Sequence, residues 1–330
     1  MAEPKALVHN RSTRIVEMLE VTEYAALAAG RWTGKGDRHA ADDAAVEAMR
    51  YAFNSVDIDG TVVIGEGERD EAPMLFIGEK VGRGGEAIDI AVDPLEGTNL
   101  AADGLPNALA VLAFGPQGTL LHAPDTYMKK VAVGPDAYDA VHIDATPTEN
   151  IRAVAKALKR DVEDLVVCIL ARDRHKDLIA EVRQAGARIR LISDGDVFGA
   201  VATAIEGTGI HLYLGTGAAP EGVLACSAMK CIGGCFMGRF QWRSEEEKAR
   251  AVEMGTPNID GILDMDTLVA TDEAAFIASG VTDGELLRGV KYFGSGARVN
   301  SIAMDAKSKT VRFIETVFRT GEEQFWVRRD

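Results

Sequence analysis

The apolar positions of the first fifty residues predict two helices joined by a glycine-rich loop. Over residues 12–29 apolar side chains recur at helical spacing, and Gly30 follows as a stop signal. A second helix is predicted over residues 40–53, where apolar side chains again form one stripe. Asp42 is expected in the first turn of that helix.

Alternating and β-branched runs then predict a mixed sheet in the N-terminal half. The predicted strands cover residues 61–64, 108–114, 119–123 and 129–133. Another strand is predicted over residues 88–93, because Ile88, Ile90 and Val92 have β-branched side chains. Pro94 cannot donate to a β-ladder, so the strand is expected to end just after Asp93.

The pattern changes near residue 146. Thr146 and Glu149 form a capping-box sequence with Pro147 at the first helical position, which predicts a helix to about residue 159. Strands and helices then alternate, which is typical of a parallel α/β sheet. Strands are predicted at 165–170, 188–192 and 210–214, and helices at 175–185, 197–205 and 222–230. The expected domains are therefore an N-terminal metal-binding lobe, 1–146, and a C-terminal α/β sugar-phosphate-binding lobe, 147–330.

Composition restricts the possible partners. The 330 residues are 47% hydrophobic, and 36 basic against 51 acidic residues give a formal net charge of −15. This charge argues against nucleic acid and anionic membranes as partners. It would also repel a phosphorylated substrate, unless divalent cations at an acidic site reverse the local field.

The termini and cysteines indicate a soluble cytoplasmic enzyme. The first residues lack a basic segment followed by an apolar core, and no apolar run approaches the length of about 18 residues that a membrane span needs. The cysteines are unevenly spaced and match no zinc-binding pattern, so they are expected to be buried free thiols: Cys168, Cys226, Cys231 and Cys235.

The run after the predicted strand at 88–93 indicates a metal and phosphate site. Asp93 and Glu96 place two carboxylates close together, Gly97 lets the backbone approach an anion, and Thr98 adds a hydroxyl that can orient water. Asp-Pro-x-x-Gly is also an ordinary turn sequence, so the motif alone does not establish a site.

Polar clusters follow three successive strands of the C-terminal half, at residues 172–174, 193–196 and 215–222. Ligands of open α/β sheets bind beyond the carboxyl ends of the strands, so the clusters favour one binding site. Arg172 and Arg174 could bind a second phosphate, with Tyr127 and Arg38 as further donors. Asp194 and Asp196 could accept hydrogen bonds from sugar hydroxyls.

A set of carboxylates from turns and strand ends could converge on divalent cations. Without cations such a cluster would repel itself, and oxygen ligands alone select Mg²⁺ or Mn²⁺ over Zn²⁺. Two such ions can activate water for phosphomonoester hydrolysis, with Asp70 accepting its proton and Thr98 aligning it. The predicted ligands are Asp42, Glu66, Asp93, Glu96 and Glu221.

Several motifs resemble those of a known family. The sequence Asp-Pro-Leu-Glu-Gly-Thr at 93–98 resembles the signature of lithium-sensitive, metal-dependent sugar and inositol phosphatases. Within that group, the segments 65–75, 192–197 and 217–222 resemble the class II fructose-1,6-bisphosphatases. The resemblance extends from about residue 15 to residue 318 and includes the closing segment 308–314.

The resemblance implies a fold, a reaction and a set of site residues. The implied fold is a layered αβαβα sandwich, with a mixed sheet in the N-terminal lobe and a mainly parallel sheet in the C-terminal lobe. The implied reaction is hydrolysis of the C1 phosphate of fructose 1,6-bisphosphate to fructose 6-phosphate, with two or three Mg²⁺ or Mn²⁺ ions. It implies the same metal ligands, catalytic roles for Asp70 and Thr98, and a set of substrate contacts: Arg38, Glu96, Gly97, Thr98, Tyr127, Arg172, Asp173, Arg174, Asp194, Gly195, Asp196 and Ala218.

The segments 172–179 and 296–298 are similar to a photosynthetic branch that also accepts sedoheptulose 1,7-bisphosphate. The resemblance therefore implies a role in gluconeogenesis or the Calvin cycle, and a homodimer or homotetramer. Three alternatives stay open at this point. They are an inositol-monophosphatase-like enzyme, a nucleotide-binding oxidoreductase built on residues 160–230, and a sugar-phosphate sensor without catalysis.

Overall fold

The computed structural model describes residues 4–67, 75–253 and 255–319, with side chains from residue 13 onward. Within these residues the strands are β1 (Ile58–Ile64), β2 (Lys80–Val81), β3 (Glu86–Glu96), β4 (Leu109–Pro116), β5 (Tyr127–Val133), β6 (Val166–Leu170), β7 (Arg188–Ile192), β8 (Leu212–Ala218), β9 (Cys235–Gln241), β10 (Ala275–Gly280), β11 (Lys291–Phe293), β12 (Gly296–Asp305) and β13 (Thr310–Arg319). The α-helices are α1 (Pro4–Gly30), α2 (Arg38–Phe53), α3 (Thr98–Asp103), α4 (Pro147–Leu158), α5 (Lys176–Ala185), α6 (Asp196–Val201), α7 (Ala219–Ile232), α8 (Glu245–Glu253) and α9 (Met265–Leu268).

These elements form two compact units, each with its own sheet. Of the described residues, the first unit holds 4–67, 75–117, 275–304 and 311–319, and the second holds 118–253, 255–274 and 305–310. The change of pattern near residue 146 coincides with the start of α4, inside the second unit. Units defined by backbone proximity need not coincide with lobes inferred from a sequence pattern, so the boundary at residue 146 stays a prediction.

The first unit contains an eight-stranded mixed sheet. Its strand order is β11-β12-β10-β4-β3-β1-β2, with β13 paired to β12. Strand β3 lies in the middle, parallel to β1 and antiparallel to β4. This central position explains why its residues are almost all buried, and it fixes the backbone that leads into the acidic motif.

Helices α1 and α2 pack against each other and bury their apolar stripes on this sheet. Met18 and Leu27 of α1 and Met49 and Phe53 of α2 are fully buried in the same core as Ile90 of β3. Each such side chain contributes about 1.5–3 kcal/mol to folding. The predicted stripe of α1 is confirmed, and the helix ends at Gly30 as expected.

The second unit contains a five-stranded sheet of order β7-β6-β8-β5-β9. Strand β6 is parallel to both β7 and β8, whereas β5 is antiparallel to β8 and to β9. The sheet is therefore mixed, with β5 alone reversed, and the predicted α/β class is confirmed. The carboxyl ends of β6, β7 and β8 lie at one edge, and each leads into one of the polar clusters.

Helix boundaries in the second unit follow local sequence signals. The capping box is present, because the Thr146 hydroxyl accepts from the Glu149 amide at 3.2 Å and the Glu149 carboxylate accepts from the Thr146 amide at 2.8 Å. Helix α5 ends at Gly186, whose φ of +96° lies in the left-handed region that glycine adopts easily.

Some element predictions were wrong. Residues 119–123 form no strand, and only an isolated bridge joins Leu120 to Val269. The helix predicted at 197–205 is shorter, because α6 gives way to a 3₁₀ turn, Ala202–Ala204. Apolar alternation does not reveal whether a neighbouring strand is available to pair with it.

No helix in the described part of the chain is both long and apolar enough to cross a membrane. All four cysteines are free and buried, which confirms the prediction for them.

Candidate active site

The acidic motif of the first unit lies at the end of β3. The prediction that the strand ends just after Asp93 was wrong, because β3 continues through Pro94 to Glu96. Pairing with β4 shifts register between Asp93 and Glu96, and a proline is tolerated at such an irregularity because its missing N–H is not required there. An oxygen of Asp93 and an oxygen of Glu96 lie within 4.8 Å of each other, close enough to share a metal ion.

The backbone after Glu96 turns sharply into helix α3. Gly97 has φ +82°, and a Cβ atom there would lie 2.9 Å from the Leu100 side chain, so glycine suits this position. Thr98 is the first residue of α3, and its hydroxyl donates to the Leu95 carbonyl at 3.0 Å. The Asp93 carboxylate accepts from the Leu95 amide at 3.0 Å, so the loop is tied to the candidate ligand.

Asp42 belongs to the same unit and is linked to Thr98. The pKa of Asp42 is raised to about 6, mainly by burial and also by repulsion from Asp43, whereas His39 and a hydrogen bond with Thr98 oppose the rise. Helix α2 begins at Arg38, two residues before the predicted start, so Asp42 lies in the second turn rather than the first. A half-buried carboxylate of this kind gains from a neighbouring cation.

The remaining predicted residues of the N-terminal half of the sequence are Arg38, Glu66 and Asp70. Glu66 is partly buried in the loop after β1, where its amide donates to the Leu75 carbonyl at 3.0 Å. Arg38 is exposed, and its guanidinium contacts the His39 ring at 3.4 Å. Asp70 lies outside the described residues.

Glu221 of the second unit is a dehydrated carboxyl group near the start of α7. Its Oε2 atom is buried and has no hydrogen-bond partner among the described residues. Its pKa is raised to about 7, mainly by burial and also by the charge of Asp196, whereas Lys130 opposes the rise. An unsatisfied buried oxygen is unfavourable, and the pairing that it lacks is one that a cation could supply.

The arginines after β6 contact the ends of the neighbouring strands. Arg174 donates to the Thr216 carbonyl through Nε at 3.0 Å and Nη2 at 2.6 Å, and it lies 4.8 Å above the Tyr127 ring. Arg172 donates to the Ser193 carbonyl and lies 3.6 Å from Asp194. The second unit thus brings Tyr127, Arg172, Arg174 and Asp194 to one edge of its sheet.

Asp173 forms an ion pair at the start of α5. Its side chain is 94% exposed and pairs with Lys176 at 3.0 Å. Ala218, by contrast, is the last residue of β8, where it pairs with Tyr127 directly before α7 begins.

Asp196 is more tightly held than its neighbours. It is buried at the first position of α6, directly after Gly195, whose φ is +81°. Lys130 donates to Asp196 Oδ2 at 2.6 Å, and the Tyr213 hydroxyl donates to the same oxygen at 3.1 Å.

Sequence reasoning missed Lys130, Tyr213 and His175. His175 is neutral, because its Nε2 accepts from the Thr216 amide at 2.8 Å and its Nδ1 donates to the Leu170 carbonyl at 2.7 Å. Burial also lowers the pKa of His175. A signal for Lys130 did exist, since two consecutive lysines in a strand must point to opposite faces, and one of those faces is buried.

Taken by itself, each unit offers part of a hydrolytic site. The first unit holds paired carboxylates, a hydroxyl and a glycine turn. The second holds arginines, carboxylates and a dehydrated glutamate at one sheet edge. The donor set is entirely oxygen, which suits Mg²⁺ or Mn²⁺.

Comparison with known proteins gives one consistent result. The family model described as bacterial fructose-1,6-bisphosphatase, glpX-encoded, matches residues 12–318. Curated relatives named D-fructose 1,6-bisphosphatase class 2/sedoheptulose 1,7-bisphosphatase are similar along nearly the whole chain. One from a Synechococcus species is 46% identical, covering 94% of this chain and 96% of its own. Those from Microcystis aeruginosa and Trichodesmium erythraeum are 46% and 45% identical, each covering 93% of this chain and 96% of its own.

Proposed function

Because the chain belongs to the bacterial class II fructose-1,6-bisphosphatases, we propose that it removes the C1 phosphate of fructose 1,6-bisphosphate. It is a phosphoric monoester hydrolase. The observation that carries the proposal is the match of the family over residues 12–318. The names of the relatives also include sedoheptulose 1,7-bisphosphate, which we propose as a second substrate.

We propose that two or three Mg²⁺ or Mn²⁺ ions are bound by Asp42, Glu66, Asp93, Glu96 and Glu221. The close approach of Asp93 and Glu96 supports this assignment in the first unit, and the unpartnered oxygen of Glu221 supports it in the second. When bound, the ions would stabilise the phosphoryl oxygens and lower the pKa of a water molecule.

The side chains of the protein would orient the reacting groups. We assign Thr98 to align the attacking water and Asp70 to accept its proton. The hydroxyl of Thr98 is well suited to this role, because it contacts Asp42 and its own backbone position is fixed by α3.

Substrate contacts are assigned to both ends of the sugar bisphosphate. Arg174, Arg172, Tyr127 and Arg38 would bind the second phosphate, and the stacking of Arg174 on Tyr127 supports a preformed clamp. Asp194, Gly195 and Asp196 would contact the sugar. The remaining proposed contacts are Glu96, Gly97, Asp173 and the backbone of Ala218, and the exposure of Asp173 makes it the most peripheral of them.

Two alternatives from the sequence are excluded by family membership. Neither a nucleotide-binding oxidoreductase nor an inositol-monophosphatase-like enzyme agrees with a match to the bisphosphatase family over most of the chain. A sensor without catalysis is excluded in the same way.

We further propose a cytoplasmic location and a homodimer or homotetramer. Four free, buried cysteines are typical of a reducing compartment and support the first proposal. Phe313 and Val317 are exposed on β13, and such apolar exposure supports a partner surface.

The direct test is phosphate release from each sugar bisphosphate with Mg²⁺ or Mn²⁺. We expect release from fructose 1,6-bisphosphate with at least one of the two ions, loss of release with a chelator, and recovery when the ion is restored. Inositol monophosphate, which has no second phosphate for the arginines, serves as the control and should release little. Absence of release from both bisphosphates with either ion would refute the proposal.

A further inference from the structure

A buried lysine in the middle of β5 has no role in the proposed function. The Lys130 side chain is 1% exposed. Its neighbour Lys129 points to the opposite face of the strand and donates to the Ile143 carbonyl at 2.8 Å. An ammonium ion is rarely buried unless it is paired, so the surroundings of Lys130 should show what it does.

Two donors converge on a single oxygen of Asp196. The Lys130 ammonium lies 2.6 Å from Oδ2, and the hydroxyl of the fully buried Tyr213 lies 3.1 Å from the same atom. Two hydrogen bonds from different strands to one oxygen fix the rotation of the carboxylate. With Oδ2 occupied by these two donors, a hydrogen bond from a ligand would go to the other oxygen, Oδ1.

Two glycines lie next to the Lys130 and Asp196 side chains, at positions where any larger residue would push these side chains out of place. A Cβ atom on Gly217 would lie 1.9 Å from Asp196 Oδ2 and 3.2 Å from the Lys130 ammonium. A Cβ atom on Gly222 would lie 2.7 Å from the Met128 sulfur and 3.5 Å from Lys130 Cε. Strand β8 and helix α7 therefore leave just enough room for the lysine and the carboxylate.

We propose that Lys130 and Tyr213 are positioning residues that orient the Asp196 carboxylate toward a hydroxyl group of the sugar. The inference rests on the proposed function, in which Asp196 contacts the sugar. A buried ion pair contributes little net stability compared with an apolar pair of the same shape, so a role in orientation accounts for a lysine at this position.

The test compares three variants with the wild-type enzyme. Tyr213→Phe removes one hydroxyl, and Lys130→Met removes the ammonium while keeping an unbranched side chain. Lys129→Met is the matched control, because it removes a charge from the adjacent position of the same strand without touching Asp196. The measurements are the dissociation constant of fructose 6-phosphate by calorimetry, the inhibition constant of inorganic phosphate, and KM and kcat for the bisphosphate.

If the Asp196 carboxylate is no longer oriented, binding of the sugar should weaken. Binding of inorganic phosphate should stay unchanged. We expect Tyr213→Phe to raise the dissociation constant of fructose 6-phosphate and KM by about fivefold, the size of one lost hydrogen bond. Lys130→Met should raise both by about tenfold or more, since its bond is charge-assisted. For Tyr213→Phe, the inhibition constant of inorganic phosphate and kcat should stay within about twofold, and so should all values for Lys129→Met. Only sugar binding is compared for Lys130→Met, because its ammonium also lowers the pKa of Glu221.

A purely structural role would give a different pattern. Parallel losses in kcat, phosphate inhibition and sugar binding in Tyr213→Phe would overturn the proposal. Unchanged sugar binding in Tyr213→Phe would also overturn it, even if Lys130→Met failed to fold. Calorimetry needs no turnover, so a wild-type enzyme that binds fructose 6-phosphate without releasing phosphate would refute the proposed function and still test this inference. Wild-type protein that does not bind fructose 6-phosphate would overturn the inference itself.

Discussion

Burial raises the pKa of three carboxyl groups among the described residues, and their surroundings differ. The pKa of Asp42 is raised to about 6 and that of Glu221 to about 7, and both residues are proposed cation ligands. The pKa of Glu23 in α1 is also raised to about 7, but the groups around this carboxyl are hydroxyls. The same physical cause therefore has a functional interpretation at two positions and a structural one at the third.

The surroundings of Glu23 form a chain of hydroxyl groups. Ser301 of β12 donates to Glu23 Oε1 at 3.4 Å, and Ser279 of β10 joins Ser301 to Thr22, with 2.8 Å at each contact. A hydrogen bond from Thr316 of β13 lowers the pKa of Glu23, whereas burial and the charge of Glu20 raise it.

Glu23 should make the stability of the first unit depend on pH. Because its pKa rises from 4.5 to about 7 on folding, the folded state binds more protons between these values, and stability falls as pH increases through that range. We predict that at pH 8 Glu23→Gln has a free energy of unfolding up to about 3 kcal/mol above that of the wild type, and therefore unfolds at a higher temperature. This gain in stability should shrink toward pH 5.

Thermal unfolding of both proteins across that pH range checks the prediction. Glu47→Gln, which removes an exposed carboxylate from α2, is the matched control and should show no such trend. A gain in Glu23→Gln that is equal at pH 5 and pH 8 would contradict the interpretation.

At the residue scale, the sequence predicts chemistry better than environment. The types and spacing of Asp93, Glu96 and Thr98 pointed to a metal and phosphate site, and oxygens of Asp93 and Glu96 lie within 4.8 Å of each other. Lys130 was not anticipated, because lysine is almost always exposed and its burial depends on Asp196, which lies 66 positions away in the chain.

At the element scale, the capping box of α4 shows a local sequence signal expressed in full. We predict that Thr146→Ala lowers the free energy of unfolding by about 1 kcal/mol, because the Glu149 amide loses its acceptor. Thr146→Ser keeps the hydroxyl and should remain close to the wild type. Urea unfolding of the two variants distinguishes them, and equal losses would show that the methyl group of threonine, rather than the cap, is responsible.

Element boundaries were predictable where local signals determine them. Gly30, the capping box and Gly186 act within a few residues, and the structure has helix ends at all three places. The course of β3 through Pro94 was not predictable, because it depends on a register shift against β4. The prediction of a strand at 119–123 was wrong for the same reason, because β-pairing depends on two segments and not on one.

At the scale of the whole molecule, charge is the central problem. A chain with a formal net charge of −15 is proposed to bind a substrate carrying two phosphates. On this proposal the arginines at the edge of the second sheet would supply part of the attraction, and the cations bound by carboxylates would supply the rest. The acidic residues would then be necessary for binding the substrate, because they bind the cations that attract its phosphates.

The overall class and the division into two sheets could be inferred from the sequence, because the change from mixed to alternating patterning is visible along it. How many strands each sheet gains from distant segments could not. Strands β10 to β13 join the N-terminal sheet from the far end of the chain, and their pairing is not encoded in any local pattern.

The measurement that tests the central claim most directly is the turnover of fructose 1,6-bisphosphate by Asp93→Asn and Glu221→Gln. Asp59→Asn, which changes an exposed carboxylate of β1, is the control. Each of the first two changes removes a negative ligand while keeping shape, so we predict normal folding and a loss of turnover of about 100-fold or more. The control should retain full activity. Folded Asp93→Asn or Glu221→Gln protein that keeps half of the wild-type turnover would contradict the account.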